Sequence, residues 1–269
     1  MTLFPDFTTH PAYLRGQTQA WCRQLAAMTG KYEFPWNVHY EGPPAEETLS
    51  SKLAEVLHGR VLDVGCGHGA YTNRWAGYAD EVIGYDMTEG FIATANRDHH
   101  KPNVRYVVGR THDGLPFPGD YFDAAFTKKG PTSWFAEGNR IVKPGGPLVL
   151  FHPGDGEGEG GELGLAFPGL FAPPSPGTPI LDKIQERLGQ SGVTAVQITR
   201  LQETVWLPSP EDVLEMFVFG QNESYKQHVR EACMDGIASQ FEKHAGSKGL
   251  RTTGFYYLLT ARAAETHGV

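Results

Sequence analysis

Cysteine is scarce in this chain of 269 residues: only Cys22, Cys66 and Cys233, far apart and with no C-x-x-C pair. That spacing excludes a disulfide framework and a thiolate zinc site, no metal site is expected, and the usage fits a reducing cytoplasm. Long apolar runs are also missing; none approaches the ~20 residues that span a bilayer. The start, Met1-Thr2-Leu3-Phe4-Pro5-Asp6, has neither the basic opening nor the apolar stretch of a signal peptide. The expectation is a cytoplasmic protein with no membrane partner. Basic residues are outnumbered, 23 Lys and Arg against 31 Asp and Glu, for a net charge of −8. Broad nucleic-acid binding relies on lysine and arginine to neutralise phosphates, so this balance speaks against it.

What is present suffices for a sizeable core: 40% of residues are hydrophobic and 12% aromatic. The length allows one large domain or a core with a cap. Residues 12–28 read as a helix, and an aromatic and proline-rich loop follows from Tyr32 to Pro44. Leu49, Leu53, Val56 and Leu57 stand at helical spacing over 45–58. From residue 60 short strands alternate with helices, the strands falling at 60–64, 81–85, 103–108, 121–127 and 146–151. That alternation argues for a parallel sheet covered by helices on both faces.

Beyond 151 the composition shifts. Residues 154–162 are nearly all glycine and acid, and 168–179 are crowded with proline, so both read as loops. A helix at 179–191 and a strand at 193–200 resume the pattern. Ser209-Pro210-Glu211-Asp212 carries an N-cap, a proline at the first helical position and acids in the first turn. Over 223–245, Tyr225, Val229, Cys233, Ile237 and Phe241 stand four apart, which makes Cys233 a core residue. A strand at 254–263 closes the pattern.

The richest stretch is Arg60-Val61-Leu62-Asp63-Val64-Gly65-Cys66-Gly67-His68-Gly69-Ala70-Tyr71. An apolar strand runs into three glycines spaced G-x-G-x-G, and a helix-like pattern follows. Glycine lacks the Cβ that blocks a ligand and accepts the positive φ of a tight turn, while a helix start offers N–H groups to an anion. The reading is a nucleotide-like ligand. Dinucleotide folds use G-x-G-x-x-G; here the third glycine comes one residue early and Asp63 sits inside the strand. Glu81-Val82-Ile83-Gly84-Tyr85-Asp86 reads as a second strand ending in an acid. Asp86 stands 21 residues after Gly65, close to the ~20 expected for a carboxylate that holds a ribose diol.

This arrangement resembles the first motif of the class I S-adenosylmethionine (SAM)-dependent methyltransferases. Gly114-Leu115-Pro116-Phe117-Pro118-Gly119-Asp120-Tyr121-Phe122-Asp123 is similar to the L-P-F-x-x-x-x-F-D signature of the small-molecule members, and Lys143-Pro144-Gly145-Gly146 is typical of them as well. The resemblance covers roughly 45–152. The flanks are similar to a group of uncharacterised bacterial methyltransferases, which implies no acceptor. It implies a Rossmann-like, doubly wound α/β fold: a mostly parallel seven-stranded sheet with an antiparallel last strand, an N-terminal helical segment, and a helical insertion before that strand. In domain terms, 1–44 forms an N-terminal helix and lid, 45–200 with 251–269 the SAM-binding core, and 201–250 a substrate wall.

Residue roles follow from the same resemblance. Gly65, Cys66, Gly67 and Gly69 would cradle the methionine part of SAM, with Asp63 fixing the loop and reaching the amino group. Asp86 would accept both ribose hydroxyls, and Met87 would pack on the adenine. The family's acid at the adenine amino group has no direct counterpart in Gly109-Arg110-Thr111-His112-Asp113. Either Asp113 reaches back, or Thr111 and backbone groups, with His112 between, take its place. Thr127 would face the sulfonium and the acceptor.

The implied activity is methyl transfer to a small molecule by in-line displacement, with S-adenosylhomocysteine as product. Alignment of the reactants contributes most of the rate gain, ~7–11 kcal/mol for well-oriented pairs. A base is needed only where the acceptor loses a proton. His152, at a strand's carboxyl end where open α/β sheets bind ligands, is one candidate; His39 and Tyr40, in the aromatic loop, are others. Their plainer readings are a backbone-bonded histidine and lid packing. Other classes stay open: an RNA methyltransferase, a non-catalytic SAM-binding module that engages a protein, and an NAD oxidoreductase, which the glycine spacing disfavours. The protein is expected as a monomer or homodimer.

Overall fold

Alternating apolar side chains decide the layering of this protein. The computed structural model describes residues 3–265. Along β2 (Arg60–Val64), β3 (Glu81–Asp86) and β6 (Pro147–Pro153), neighbouring residues point to opposite faces of the sheet. Leu62, Val64, Ile83, Tyr85, Leu148 and Leu150 therefore enter one core, and Val61, Val82, Val149 and Phe151 enter another. Strands buried on both faces read as continuous apolar runs, which is how parallel sheets are usually placed.

Helices α5 (Phe135–Ile141) and α7 (Pro179–Ser191) supply Phe135, Ile141, Ile184 and Leu188 to the first core. Helix α2 (Ala45–Val56) supplies Leu49 and Leu53, both wholly buried, to the second. Each such buried aliphatic or aromatic side chain contributes about 1.5–3 kcal/mol.

The sheet has eight strands in the order β1-β7-β8-β6-β5-β2-β3-β4. Strands β4 (Val104–Val108) and β5 (Ala124–Lys128) complete the parallel part with β2, β3 and β6. Strand β8 (Leu250–Arg262) runs antiparallel to β6, as expected for the last strand. The additional strand is β1 (His39–Glu41), paired antiparallel to Thr204–Trp206 in β7 (Thr194–Leu207).

By compactness the chain forms two units. Unit one contains residues 1–44, 155–178 and 202–255; unit two contains 45–154, 179–201 and 256–269. Unit two holds the two sheet cores. Unit one has its own core, in which Tyr225, Val229, Cys233 and Ile237 of α9 (Glu223–His244) meet Val213 and Leu214 of α8 (Pro210–Phe217). Cys233 is a core residue there, its Sγ donating to the Val229 carbonyl. Ser209 caps α8 by accepting the Asp212 N–H at 3.3 Å.

Several boundaries differ from the sequence expectation. The first helix, α1, spans Gln19–Thr29 because Thr18 takes the N-cap position and accepts from the Trp21 N–H. The 201–250 segment is not purely helical: β7 continues to Leu207 before α8 begins. Residues 155–178 group with unit one and not with the sheet core. Residues 1–2 of the expected N-terminal segment and 266–269 of the expected core lie outside the described residues.

Candidate functional site

The glycine loop joins β2 to a short helix, α3 (Ala70–Arg74). Gly65, Gly67 and Gly69 all adopt positive φ, at 80°, 56° and 84°, the left-handed region that side chains resist. Two of them also answer close packing inside unit two. A Cβ on Gly65 would stand 2.7 Å from the Pro131 ring, and one on Gly69 would stand 2.7 Å from the Ala95 side chain and 2.8 Å from the Tyr106 ring.

The loop's N–H groups are largely committed within the protein. Gly65 and Cys66 both donate to the Tyr85 carbonyl, at 2.7 and 3.2 Å, and Gly69 donates to the Cys66 carbonyl at 3.1 Å. Gly67 donates to Asp86 Oδ2 at 3.0 Å. These bonds fix the loop's shape against β3.

Asp86 ends β3 with its other oxygen, Oδ1, accepting the Thr88 N–H at 2.8 Å. Burial raises its pKa, and the N–H donors of Thr88 and Gly67 work against that rise. The Thr88 side chain and the Met87 backbone also favour its charged form through hydrogen bonds. An ionised carboxylate only accepts, through two oxygens, which is the chemistry a ribose diol requires, so the residue fits the group expected there.

Asp63 is 2% exposed and its Oδ2 accepts from the Thr72 hydroxyl at 2.7 Å. Burial lifts its pKa to about 7, with the Thr72 hydrogen bond and the Lys128 charge opposing the rise and Asp86 adding to it. Its observed partner ties β2 to α3. Cys66 is buried, and burial pushes its thiol pKa well above the ordinary range. It occupies the loop as a small spacer, with no thiolate character for nucleophilic work.

At the side expected for adenine, Met87 is partly buried, while His112 and Asp113 are exposed on a short 3-10 turn. Thr111 Oγ1 lies 2.7 Å from Ser133 Oγ. The two hydroxyls are thus brought together at the start of that turn. Thr127 is fully buried and donates to the Val64 carbonyl. With no surface exposed it braces β5 against the loop, and the expectation that it faces a ligand is corrected on that ground.

Lys128, the next residue, donates to Glu46 Oε1 at 2.8 Å and places its ammonium 4.0 Å from the Tyr71 ring centroid. Among the candidates for a base, His152 belongs to unit two and its Nδ1 meets the Pro153 carbonyl at 2.7 Å. A carbonyl can only accept, so Nδ1 carries the proton and Nε2 the lone pair in the neutral ring. His39 and Tyr40 stand together on β1 in unit one, on a strand and not in a loop. They line a cavity of about 690 Å³. Thr72, Ser133, Glu46 and Tyr71 went unnoticed as site partners in the sequence because nothing in local spacing links them to Asp63, Thr111 or Lys128.

Residues 62–150 match the family model described as a methyltransferase domain. The malonyl-[acyl-carrier protein] O-methyltransferase of Hahella chejuensis is 31% identical over 111 residues, 38% of this chain and 39% of that protein. The 27-O-demethylrifamycin SV methyltransferase of Amycolatopsis mediterranei is 26% identical over 244 residues, 82% of this chain and 85% of its own. The chain spans about two fifths of the length of the first curated relatives it matches. The crystal structure of a functionally unknown protein from Deinococcus radiodurans shares the fold, with a TM-score of 0.60 at 20% identity, covering 93% of this chain and all of that one. No helix among the described residues is long and apolar enough to cross a membrane. The loop-to-acid geometry and these likenesses converge: residues 62–150 form a methyltransferase domain, similar to those of the class I SAM-dependent methyltransferases.

Proposed function

We propose that this protein transfers a methyl group from SAM to the oxygen of a small-molecule acceptor, in the cytoplasm. The observation that carries this reading is Asp86: a carboxylate at the end of β3, clamped beside the glycine loop by the Gly67 and Thr88 N–H groups. SAM, when bound, supplies a methyl group activated by a cationic sulfur.

The chain's own residues bind and orient. Asp86 takes the ribose hydroxyls as charge-assisted hydrogen bonds, Met87 gives an apolar wall, and Gly65, Gly67 and Gly69 present bare backbone to the ligand at three positions of the turn. Asp63 supports the turn through Thr72. The Thr111 and Ser133 hydroxyls substitute for the missing acid at the adenine. Both relatives described above are named for an oxygen position, which favours an oxygen nucleophile here. An acceptor hydroxyl has to lose its proton, and His152, at the carboxyl end of β6, is the residue assigned to take it. The net charge of −8 favours a small molecule over RNA.

Calorimetric titration of SAM and S-adenosylhomocysteine tests the reading. Micromolar binding that Asp86→Ala weakens severely supports it; no binding of either ligand overturns it.

A further inference from the structure

Unit one contains a cavity of about 690 Å³, within the ~300–1,000 Å³ range of small-molecule sites. Tyr40, Trp206 and Phe241 give it aromatic walls, and Glu41 and Lys248 give it one charge of each sign. The indole of Trp206 is held on two sides. Its Nε1 donates to Glu41 Oε2 at 2.9 Å, across the β1–β7 pairing. Lys248 Nζ stands 5.4 Å from its ring centroid.

Lys248 is placed by a tight turn. Gly246 and Gly249 exchange backbone hydrogen bonds at 2.9 and 3.0 Å, leaving Ser247 and Lys248 at the tip. Gly249 has a φ of 105°, and any Cβ there would collide with the Leu207 carbonyl oxygen. The turn is thereby pressed against the end of β7, and the ammonium is aimed across the cavity's aromatic wall. Lys248 forms no ion pair among the described residues.

We infer that this cavity binds a planar aromatic molecule carrying a carboxylate, its ring among Tyr40, Trp206 and Phe241 and its carboxylate on Lys248. The aromatic walls reward burial of a flat apolar face. The ammonium, available and backed by an apolar surface, supplies a charge-assisted hydrogen bond. Glu41, already occupied on the indole N–H, lies at the ring edge, so the charge pattern orients the ligand's acid toward the turn. The inference concerns unit one alone and stands whether or not methyl transfer is observed.

The probes are 2-naphthoate and its neutral analogue 2-naphthylmethanol, titrated by calorimetry against the full chain. The carboxylate is expected to bind at least about tenfold more tightly than the alcohol, the size of one charged hydrogen bond. Lys248→Glu, at an exposed turn tip, should abolish that preference while leaving the alcohol's affinity within about twofold, and Lys248→Arg should restore it. Equal affinity for the two probes, no binding of either, or a preference unmoved by Lys248→Glu overturns the inference.

Discussion

Asp86 and Gly67 are bonded to each other: the carboxylate Oδ2 accepts the loop N–H at 3.0 Å. The acid proposed to hold the ribose and the loop proposed to run along the methionine are thus parts of one rigid construction. Disturbing either residue should disturb both ends of the bound cofactor.

Asp86→Asn keeps the shape but replaces an acceptor oxygen with a donor amide and removes the charge. Loss of one charged hydrogen bond, about 1.5–3 kcal/mol, predicts weakening of S-adenosylhomocysteine binding by roughly 10- to 150-fold. Asp86→Ala should weaken it further and also lower stability by about 1–3 kcal/mol, because the Gly67 and Thr88 N–H groups lose their acceptor. Calorimetry and urea unfolding separate the two effects. Unchanged affinity in both variants would remove Asp86 from the site.

Asp63 predicts a pH dependence of stability. Its folded pKa, about 7, lies above its ordinary value of 3.8 because burial disfavours the charge. The folded state therefore holds a proton that the unfolded state has released, and stability falls as pH rises between these values. The contribution is complete below about pH 4 and gone above about pH 7. Asp63→Asn can still accept from Thr72 without carrying charge. Its stability relative to the native chain should rise with pH across this window, by up to about 4 kcal/mol. Urea unfolding at pH 5 and pH 8 reads the difference, and a flat comparison would contradict it.

Gly69→Ala should destabilise unit two by about 2–4 kcal/mol, combining the left-handed backbone cost with overpacking. Its Cβ would stand 2.7 Å from the Ala95 side chain, and Gly69 has a φ of 84°. A thermal melt gives the answer directly. Retention of the native melting temperature would mean that the loop relaxes freely, against the packing described here.

Ser209→Ala removes the cap of α8 and should cost about 1–2 kcal/mol. The effect reaches beyond the helix. Asp212, which receives the Ser209 hydroxyl, also accepts from the Asn37 backbone N–H at 2.7 Å and from its side chain at 3.1 Å. Amide exchange at Asn37 should quicken in the variant while exchange in β2 and β3 stays unchanged.

The sheet was legible because its signals are local. Val61-Leu62 and Val82-Ile83 are short apolar runs, and Gly65 and Gly69 need a backbone that other residues resist. Helix α7, at Pro179–Ser191, also matches its reading. Strand β1 was not legible: His39-Tyr40-Glu41 is exposed at every position, so no burial pattern marks it, and it is a strand because residues 204–206 pair with it. The reach of β7 to Leu207 depends on that pairing in the same way.

By itself, then, the sequence determined the parallel core, the turn between β2 and α3 and the acid at the end of β3, since each rests on the chemistry of residues within a few positions. Tertiary structure alone decided the partners. Thr72 met Asp63, Ser133 met Thr111, Glu46 met Lys128, and the loop N–H groups turned to Tyr85 and Asp86. A hydrogen bond requires two groups to arrive within about 3 Å of each other, and that coincidence is set by the packing of whole elements, which spacing along the chain does not encode.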